Sequence, residues 1–373
     1  MEEQKSCAIC GRACATEEVR SFDGRLLCPE CLEEQTVLCC CCGVRIWRAD
    51  NAGTEAIPLC QTCCDDHYFH CCGCGALTHE ANTCYNDSDE YAEYPLCPGC
   101  YEARSHGNPI HDYYYKPTPV FYGEGPRFFG VELEIDGAGE DRRNARLLLD
   151  LGNEEENYLY IKHDGSLEDG LELVTHPMDL EHQLHNMPWE GLCRKALALG
   201  YKSHQATTCG LHVHISRQAF GEHDWEQDLA IARVLYFFER HWEELLKFSR
   251  RTPRQLERWA ARYGYKEQPM EILDHAKKNC RNGRYTCVNL QNPDTVEFRM
   301  FRGTLRPNTI FATLQMLDHI CDVALFLSDD ELKAMAWTTF VSGITEDRYP
   351  ELVQYLKERR LYVNEPVESE VEA

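Results

Sequence analysis

The sequence predicts an α+β body built on a largely antiparallel sheet with flanking helices, preceded by three small cysteine-rich modules. Of the 23 cysteines, 18 precede residue 101, which separates a cysteine-rich head from an ordinary body. In the body, the alternation typical of strands and the spacing typical of helices are interleaved, and a turn signal separates one pair of strands. We therefore place the head at 1–104, a linker at 105–126, the body at 127–361 and an acidic tail at 362–373.

Composition excludes several classes of protein. The chain has 373 residues, of which 43% are hydrophobic and 27% charged, and these proportions are those of a globular protein. Its net charge of −24 argues against nucleic acid or an anionic membrane as a partner, because both require clustered Lys and Arg. No apolar run approaches the ~20 residues of a membrane helix, and the first residues lack the apolar core of a signal peptide. We therefore expect a cytoplasmic protein.

The head repeats a Cys-x-x-Cys-Gly pattern with a period of 32 residues. Each first pair is followed, after 17, 17 and 22 residues, by a second Cys-x-x-Cys pair. Two such pairs can close one tetrahedral zinc–thiolate site, whereas disulfides do not persist in a reducing cytosol. We predict three structural zinc sites, in modules at about 7–31, 39–63 and 71–100, whose ligands are Cys7, Cys10, Cys28 and Cys31, then Cys39, Cys42, Cys60 and Cys63, then Cys71, Cys74, Cys97 and Cys100.

The spacing of these pairs resembles that of zinc-ribbon, treble-clef and LIM-type modules. His67 and His70 are alternative ligands for the second or third site, and six cysteines are left over, which we interpret as free buried thiols: Cys14, Cys40, Cys41, Cys64, Cys72 and Cys84. The head carries a net charge of −11, to which each four-thiolate zinc site adds about two negative charges. This charge favours a protein-docking surface or a rigid cap over a nucleic-acid site, and zinc would supply the folding free energy that modules this small lack.

The linker is rich in Gly, Pro and Tyr, as is typical of an extended segment. Apolar alternation in the body predicts strands at 128–135, 171–175, 211–216, 284–290 and 295–301. The turn signal Asn292-Pro293-Asp294 predicts that the last two form a hairpin. Apolar residues spaced three and four apart predict helices at 142–151, 178–185, 189–199, 227–248, 309–327 and 350–360.

Several predicted strands place acidic, histidine or arginine side chains on one face. Because residues two apart share a face, the alternation groups Glu132 with Glu134, His212 with His214, and Glu297 with Arg299, and it sets Glu172 between leucines. A solvated face is the alternative for any single strand. The recurrence of acids and histidines favours a divalent-cation site, and mainly oxygen ligands suit Mg²⁺ or Mn²⁺ better than Zn²⁺. The absence of a His-Glu-x-x-His helix argues against a zinc protease.

Arginines complete the predicted site. Arg299, Arg302 and Arg306 follow Glu297 closely, and a planar guanidinium binds phosphate or carboxylate through two hydrogen bonds. Metal-binding carboxylates beside such arginines are the components of phosphoryl transfer. The alternative is that the arginines only neutralise the acids of the sheet. A basic stretch from Arg250 to Arg284 would either attract an anion or form a solvated helix face, and no glycine-rich phosphate loop is present.

Five motifs in the body resemble the amidoligases, relatives of glutamine synthetase and glutamate–cysteine ligase. In order they are Phe-Gly-Val-Glu-Leu-Glu-Ile at 129–135, His-Asp-Gly-Ser-Leu at 163–167, Glu-Leu-Val-Thr-His-Pro at 172–177, Cys-Gly-Leu-His-Val-His-Ile-Ser at 209–216, and Val-Glu-Phe-Arg-Met-Phe-Arg-Gly-Thr-Leu at 296–305. The resemblance covers roughly 127–330. It implies a glutamine synthetase-like antiparallel catalytic sheet whose acids hold magnesium, and ATP that activates a carboxylate as an acyl phosphate for attack by an amine.

The resemblance also implies roles for individual residues. Five of them would be metal ligands within the catalytic site, with a phosphate contact as the alternative role of His212: Glu132, Glu134, Glu172, His212 and Glu297. Arg299 would hold phosphoryl oxygens, and we add Arg302 and His214 as further cofactor contacts, with His214 orienting the site. Asp164 would reach a second metal, although glutamine synthetases carry glutamates there.

Three functions compete on this sequence. The first is an ATP- and Mg²⁺-dependent carboxylate–amine ligase with a zinc-bearing docking head, whose substrates are a small-molecule or peptide carboxylate and an amine. The second is a metal-dependent hydrolase that uses the same face without a nucleotide. The third is a zinc-binding adaptor with a decayed, non-catalytic ligase body. The retained acids argue against decay, because the loss of one ligand normally disables a metal site.

Overall fold

The computed structural model describes residues 4–16, 18–84, 95–104, 108–279 and 285–362. The acidic tail beyond 362, the linker residues 105–107, and Arg281 and Arg284 of the basic stretch lie outside the described residues. The chain divides into two compact units. The first comprises Met1–His106 with Tyr114–Pro117, and the second comprises Gly107–Tyr113 with Thr118–Ala373.

The first unit consists of short antiparallel hairpins and short helices. Its strands are β1 Gln4–Ser6, β2 Ala13–Ala15, β3 Arg20–Phe22, β4 Arg25–Leu27, β5 Thr36–Leu38, β6 Arg45–Trp47, β7 Tyr68–His70 and β8 Leu77–His79. Its helices are α1 Pro29–Gln35, α2 Gln61–His67 and α3 Pro98–Arg104, with 3₁₀ turns at Arg48–Asp50 and Glu80–Asn82.

The 32-residue repeat of the sequence is also a repeat of backbone geometry. In each module the first Cys-x-x-Cys pair forms the turn of a hairpin, between β1 and β2, β5 and β6, or β7 and β8. The glycine after each pair has a φ of +71° to +74° and donates its N–H to the carbonyl of the first cysteine. These are Gly11, Gly43 and Gly75. A positive φ strains any residue with a Cβ, so the repeated glycine is what lets the turn close.

The second unit is a mixture of strands and helices, as predicted. Its strands are β9 Phe129–Asp136, β10 Leu159–Lys162, β11 Gly170–Thr175, β12 Gly210–Ser216, β13 Val288–Asn289 and β14 Thr295–Arg302. Its helices are α4 Arg142–Gly152, α5 Leu180–His185, α6 Trp189–Ala198, α7 Asp224–Arg240, α8 Trp242–Ser249, α9 Pro253–Trp259, α10 Pro269–Asn279, α11 Pro307–Phe326, α12 Asp329–Ala334, α13 Trp337–Ser342 and α14 Pro350–Glu358.

The six strands form one antiparallel sheet in the order β10-β11-β9-β12-β14-β13. Its apolar face is buried: Phe129, Val131, Leu133 and Ile135 of the central strand β9 are at most 1% exposed. These residues share one hydrophobic core with residues of α7 and α11. The α+β class and the antiparallel sheet predicted from the sequence are therefore confirmed. Burial of one face fixes the register, because a slip by one residue would turn the acids of β9 into the core.

Two elements differ from the prediction. The single helix expected at 227–248 is two helices, α7 and α8, because His241 leaves the helical region (φ −105°, ψ 33°) and its ring packs against Phe237 and Trp337. The strand expected at 284–290 is reduced to β13. Thr286 pairs with Ala261 instead of β14, so the hairpin with β14 is formed only by Val288 and Asn289.

Helix α11 is long and apolar enough to cross a membrane by length and composition. However, 72% of its most apolar 18-residue window is buried within the structure, which is the pattern of a core helix. The sequence predicted a helix at 309–327 but no membrane span, because polar residues interrupt its apolar run. Two of them have internal partners: Gln315 accepts the N–H of Leu352 at 2.8 Å, and Asp318 accepts the hydroxyl of Tyr349 at 2.7 Å.

Candidate metal-binding active site

The polar residues predicted from strand alternation lie on one face of four adjacent strands. Antiparallel pairing sets Glu134 opposite Glu172, Glu132 opposite His212, and Glu297 opposite His214. Directly opposed residues on neighbouring strands share a face and have neighbouring Cβ atoms. The register of the sheet, which the apolar face fixes, therefore brings together acids from β9, β11 and β14 with the histidines of β12.

This face is enclosed. Glu134, Glu172, His212 and Glu297 are each at most 4% exposed. The Glu132 and His214 side chains are 18% exposed, so access to solvent is limited to this part of the face. A solvated polar face, the alternative for each strand on its own, does not describe these residues. Buried carboxylates need a compensating charge or hydrogen-bond donors, because desolvation disfavours their ionised form.

Two groups on this face have the dimensions of a metal site. Glu132, His212 and Glu297 form one group, and Glu134, Glu172 and His212 form the other. Within each group the potential ligand atoms lie within 4.8 Å of one another, and His212 belongs to both. His212 Nδ1 is 3.4 Å from Glu132 Oε2 and 3.8 Å from Glu134 Oε1. The structure thus gathers the four predicted carboxylate ligands around the imidazole of the fifth, His212.

Neighbouring donors hold the carboxylates in place. Glu297 accepts hydrogen bonds from Asn289 Nδ2 at 2.7 Å and from the guanidinium of Arg299. Glu134 accepts the backbone N–H of Gly210. His214 Nε2 lies 3.2 Å from Glu132 Oε1, and its Nδ1 lies 3.1 Å from the hydroxyl of Thr295. His214 therefore contacts Glu132 from outside the two groups, and its orienting role stays a prediction.

The acids fall into two electrostatic types. Burial tends to raise the pKa of Glu132 and Glu297, but nearby cationic groups outweigh it, chiefly His214 for the first and Arg299 for the second, and their pKa values lie below the usual range. Burial raises the pKa of Glu134, and raises that of Glu172 well above its usual range. The surroundings thus favour the ionised form of the first pair and the protonated form of the second.

The balance of charge favours a bound cation. The four carboxylates of this face lie near three permanent cations, Arg299, Lys162 and Arg251, and Lys162 is 3.0 Å from Glu172. With neutral imidazoles, one negative charge remains among these groups and Asp164 nearby adds a second, and protons or a divalent ion would offset them. Carboxylate oxygens with one shared imidazole nitrogen suit Mg²⁺ or Mn²⁺, with water completing the coordination shell. The residues present therefore fit the predicted ion.

Sequence reasoning missed three side chains at this site. Lys162 ends β10, a strand that was not predicted, although Leu159-Tyr160-Ile161-Lys162 does alternate. Asn289 was assigned to a strand without a role, and only its pairing opposite Glu297 reveals it. Arg251 was grouped with a basic stretch, but it is buried and donates its Nε–H to the carbonyl of Phe301 in β14 at 3.2 Å. These contacts depend on which strands are neighbours, which the local pattern does not contain.

Two predicted residues lie apart from the carboxylates. Arg302 donates to the backbone carbonyl of Arg250 at 3.4 Å and lines a separate pocket with Arg250 and Arg251. Asp164 Oδ1 accepts the N–H of Ser166 at 2.6 Å, in a turn, and belongs to neither ligand group. Its charge still contributes to the raised pKa of Glu172.

Gly210 is a position where a single methyl group would disturb the site. A Cβ on Gly210 would lie 2.5 Å from His212 Nε2 and 2.7 Å from Arg251 Nη2, so one of these side chains would have to move. We expect Gly210→Ala to lower turnover about 100-fold, the effect of misplacing a catalytic group by ~1 Å, with little change in melting temperature. Steady-state assays beside Gly165→Ala, where a Cβ meets open space, test this. Equal activity of the two variants would show that His212 and Arg251 tolerate displacement.

The cysteine pairs of the first unit form three further groups that could hold a metal ion. They are the three four-cysteine sets predicted from the repeat, in the same register. In each set the second pair lies at the start of a helix, at α1, α2 or α3. Every cysteine among the described residues is a free thiol, as a metal site requires. Tetrahedral zinc–thiolate coordination is the chemistry that such sets serve.

The first cysteine of each set is prepared for metal binding. Backbone N–H groups directed at the sulfur lower the pKa of Cys7 to about 6. Burial opposes the same effect at Cys39 and Cys71, yet backbone N–H groups still lower their pKa to about 6. At Cys71 these donors are Gly73 and Cys97, at 3.3 and 3.1 Å. Each module therefore presents one thiolate near neutral pH, and the thiolate is the form that binds zinc.

The alternative ligands lie outside these groups. His67 contacts Glu80 at 2.9 Å and His70 contacts the carbonyl of Gly75 at 3.1 Å, and neither joins a four-cysteine set among the described residues. The same holds for the six additional cysteines of the head. Of these, Cys14 and Cys84 are buried as interpreted, whereas Cys40, Cys41 and Cys72 are exposed and Cys64 is intermediate.

Comparison with known proteins bears on the second unit. No match to this chain was found among the curated proteins. Residues 150–321 match the model of a family described as "Putative amidoligase enzyme". The matched range contains β11, β12 and β14, and with them Glu172, His212, Glu297 and Arg299. Over this range the chain is therefore similar to the amidoligase family.

Proposed function

We propose that this protein is an ATP- and Mg²⁺-dependent ligase that joins a carboxylate to an amine through an acyl phosphate. One observation carries the proposal: a sheet that lies partly within the amidoligase-family match gathers four carboxylates in two metal-sized groups that share His212, with Arg299 beside them. A hydrolase would need only one activated water, whereas paired cation sites next to a guanidinium suit a transferring phosphoryl group. In this proposal the sheet is the catalytic sheet of a glutamine synthetase-like ligase.

In the proposed reaction, a substrate carboxylate oxygen attacks the γ-phosphorus of ATP and ADP leaves. The amine then attacks the acyl carbon, loses a proton and expels phosphate, which leaves an amide. Divalent cations held by the carboxylates would offset the charge of the phosphoryl group and align its oxygens. Arg299 would bind phosphoryl oxygens through a guanidinium that Glu297 holds in position. His214 would keep Glu132 directed at the metal.

The buried acids also support a catalytic body over an adaptor with a decayed one. Glu134, Glu172 and Glu297 are each at most 4% exposed and would impose a desolvation cost on a domain that no longer bound cations. No selection would retain such a cost without a function for the charges. We therefore propose catalysis by the body and docking by the zinc head, which exposes apolar side chains at Ile9, Leu38 and Val44. Partner capture in a pull-down should then be lost when zinc is chelated.

Release of phosphate from ATP tests the ligase directly. The purified full-length chain would be incubated with ATP, Mg²⁺ and pools of carboxylates and amines, and new amides would be sought by mass spectrometry. We expect phosphate release that requires Mg²⁺ and both pools. Amide hydrolysis that needs no ATP would instead establish the hydrolase. Absence of any ATP binding in the presence of Mg²⁺ would overturn the ligase.

A further inference from the structure

A cationic pocket lies beside the acidic face. It is open, has a volume of about 600 Å³, and is lined by Lys247, Arg250, Arg251, Arg302 and Arg359, together with His204. One carboxylate, Glu243, also lines it. The chain has a net charge of −24, whereas five cations make the surroundings of this pocket positively charged. Only part of this cluster is visible in the sequence, because α8, β14 and α14 with its following turn each supply some of it.

Within the described part of the chain, these cations are not paired with carboxylates, although Arg251 interacts electrostatically with Glu134 of the acidic face. Among the described residues, none of the five forms an ion pair with a carboxylate, while nearby Arg306 does so with Glu358. Their hydrogen bonds go to backbone carbonyls: Arg359 donates to Lys247 at 2.8 Å, and Lys247 donates to Arg360 at 3.0 Å. The Nε–H of Arg302 is buried and has no partner among the described residues.

The positive charges that line the pocket contribute to lowered pKa values of His204 and Arg302. The pKa of His204 is lowered to about 4, first by burial and then by the charges of Arg250, Arg302 and Arg359. Burial and the neighbouring Arg250 also lower the pKa of Arg302. Cations that repel one another and lack carboxylate partners are stabilised by a bound anion, and guanidinium groups favour carboxylate or phosphate oxygens.

The pocket adjoins the proposed active site at Gly210. Arg251 lines the pocket, yet a Cβ on Gly210 would touch both Arg251 and His212. The N–H of Gly210 is in turn bonded to Glu134. A substrate whose reacting carboxylate lies at the acidic face could therefore place a second anionic group against these cations.

We propose that the pocket binds the non-reacting carboxylates of the substrate, so that the enzyme acts on a polycarboxylate such as an acidic peptide. This inference rests on the proposed ligase function. Carboxylates are favoured over a nucleotide because the pocket is open and His204 is the only aromatic ring among its lining residues, which leaves little surface for stacking a base. Several cations spread along an open pocket suit several charges spread along a chain.

Binding of a fluorescein-labelled tetraglutamate to the full-length chain, followed by anisotropy without ATP or metal, tests this inference. We expect saturable binding that weakens with added salt, and that weakens about tenfold in Arg302→Gln and in Lys247→Gln because each removes one cation. The matched control is Arg194→Gln, an exposed arginine of α6 that does not line the pocket. Its affinity should equal that of the wild type, and thermal unfolding would show that all three variants are folded.

Two results would overturn the inference. The first is tetraglutamate binding that is absent, or that is equally strong in the pocket variants and in Arg194→Gln. The second is binding of inorganic tripolyphosphate that depends on Arg302 while tetraglutamate does not bind, which would assign the pocket to phosphate. Because neither readout involves turnover, intact tetraglutamate binding in a protein without ligase activity would refute the proposed function alone.

Discussion

Glu132→Gln is expected to abolish turnover while the second unit stays folded. Glu132 belongs to one of the metal-sized groups and contacts both histidines, at 3.4 Å from His212 Nδ1 and 3.2 Å from His214 Nε2. Glutamine has nearly the same shape but carries no charge, and an amide is a poor ligand for a divalent ion. Loss of a residue that merely supports a metal ligand costs about 10- to 100-fold, so loss of a ligand should exceed about 100-fold.

The folded state should tolerate this change. Removing one of four clustered carboxylate charges relieves repulsion on the buried face, which offsets the lost contacts to the histidines. We expect a melting temperature near that of the wild type, together with weaker Mn²⁺ binding measured by electron paramagnetic resonance. Glu190→Gln, on an exposed position of α6, is the matched control and should retain full activity. Turnover like that of the wild type in Glu132→Gln would remove this residue from the active site.

Metal removal is expected to unfold the first unit and leave the second intact. Apart from its thiols, the first unit buries few apolar residues, for example Leu27 beside Cys28 and Leu59 beside Cys63. Zinc bound by the four-cysteine groups would therefore supply most of its folding free energy, since structural zinc in small modules contributes about 10 kcal/mol or more. The second unit has its own large hydrophobic core. We expect chelation to release about three zinc ions per chain. Rapid proteolysis, confined to the head, should follow.

Two cysteines of the second module allow a matched comparison. Cys60 belongs to a four-cysteine set, whereas Cys64, four residues later, donates its thiol to the carbonyl of Ala52 at 3.4 Å. Cys60→Ser should lower the zinc content from three ions to two, and Cys64→Ser should leave it at three. A zinc content near zero in protein purified without chelators would refute the three sites. Equal loss in both variants would show that the four-cysteine set is assigned wrongly.

Much of the fold and of the candidate site could be predicted from local sequence patterns. The alternation in β9 identifies Glu132 and Glu134 together, because one strand alone decides which side chains share a face. The repeat in the head identifies all three cysteine sets, because each Cys-x-x-Cys-Gly turn is formed by five consecutive residues. Short elements with weak periodicity were missed, including β10, α9, α10, α12 and α13, because their burial is set by neighbours that are distant in sequence.

The sequence by itself determined which residue types this protein presents: paired thiols at a fixed period, and acids, histidines and an arginine on alternate positions of strands. Only the tertiary structure decided which of them meet. The strand order places Lys162 beside Glu172 and Asn289 beside Glu297, and the crossing of α8, β14 and the turn after α14 gathers the cations around Arg302. The physical reason is that alternation is a property of one strand, whereas charge compensation and burial are properties of a packed sheet, whose strand order no single strand encodes.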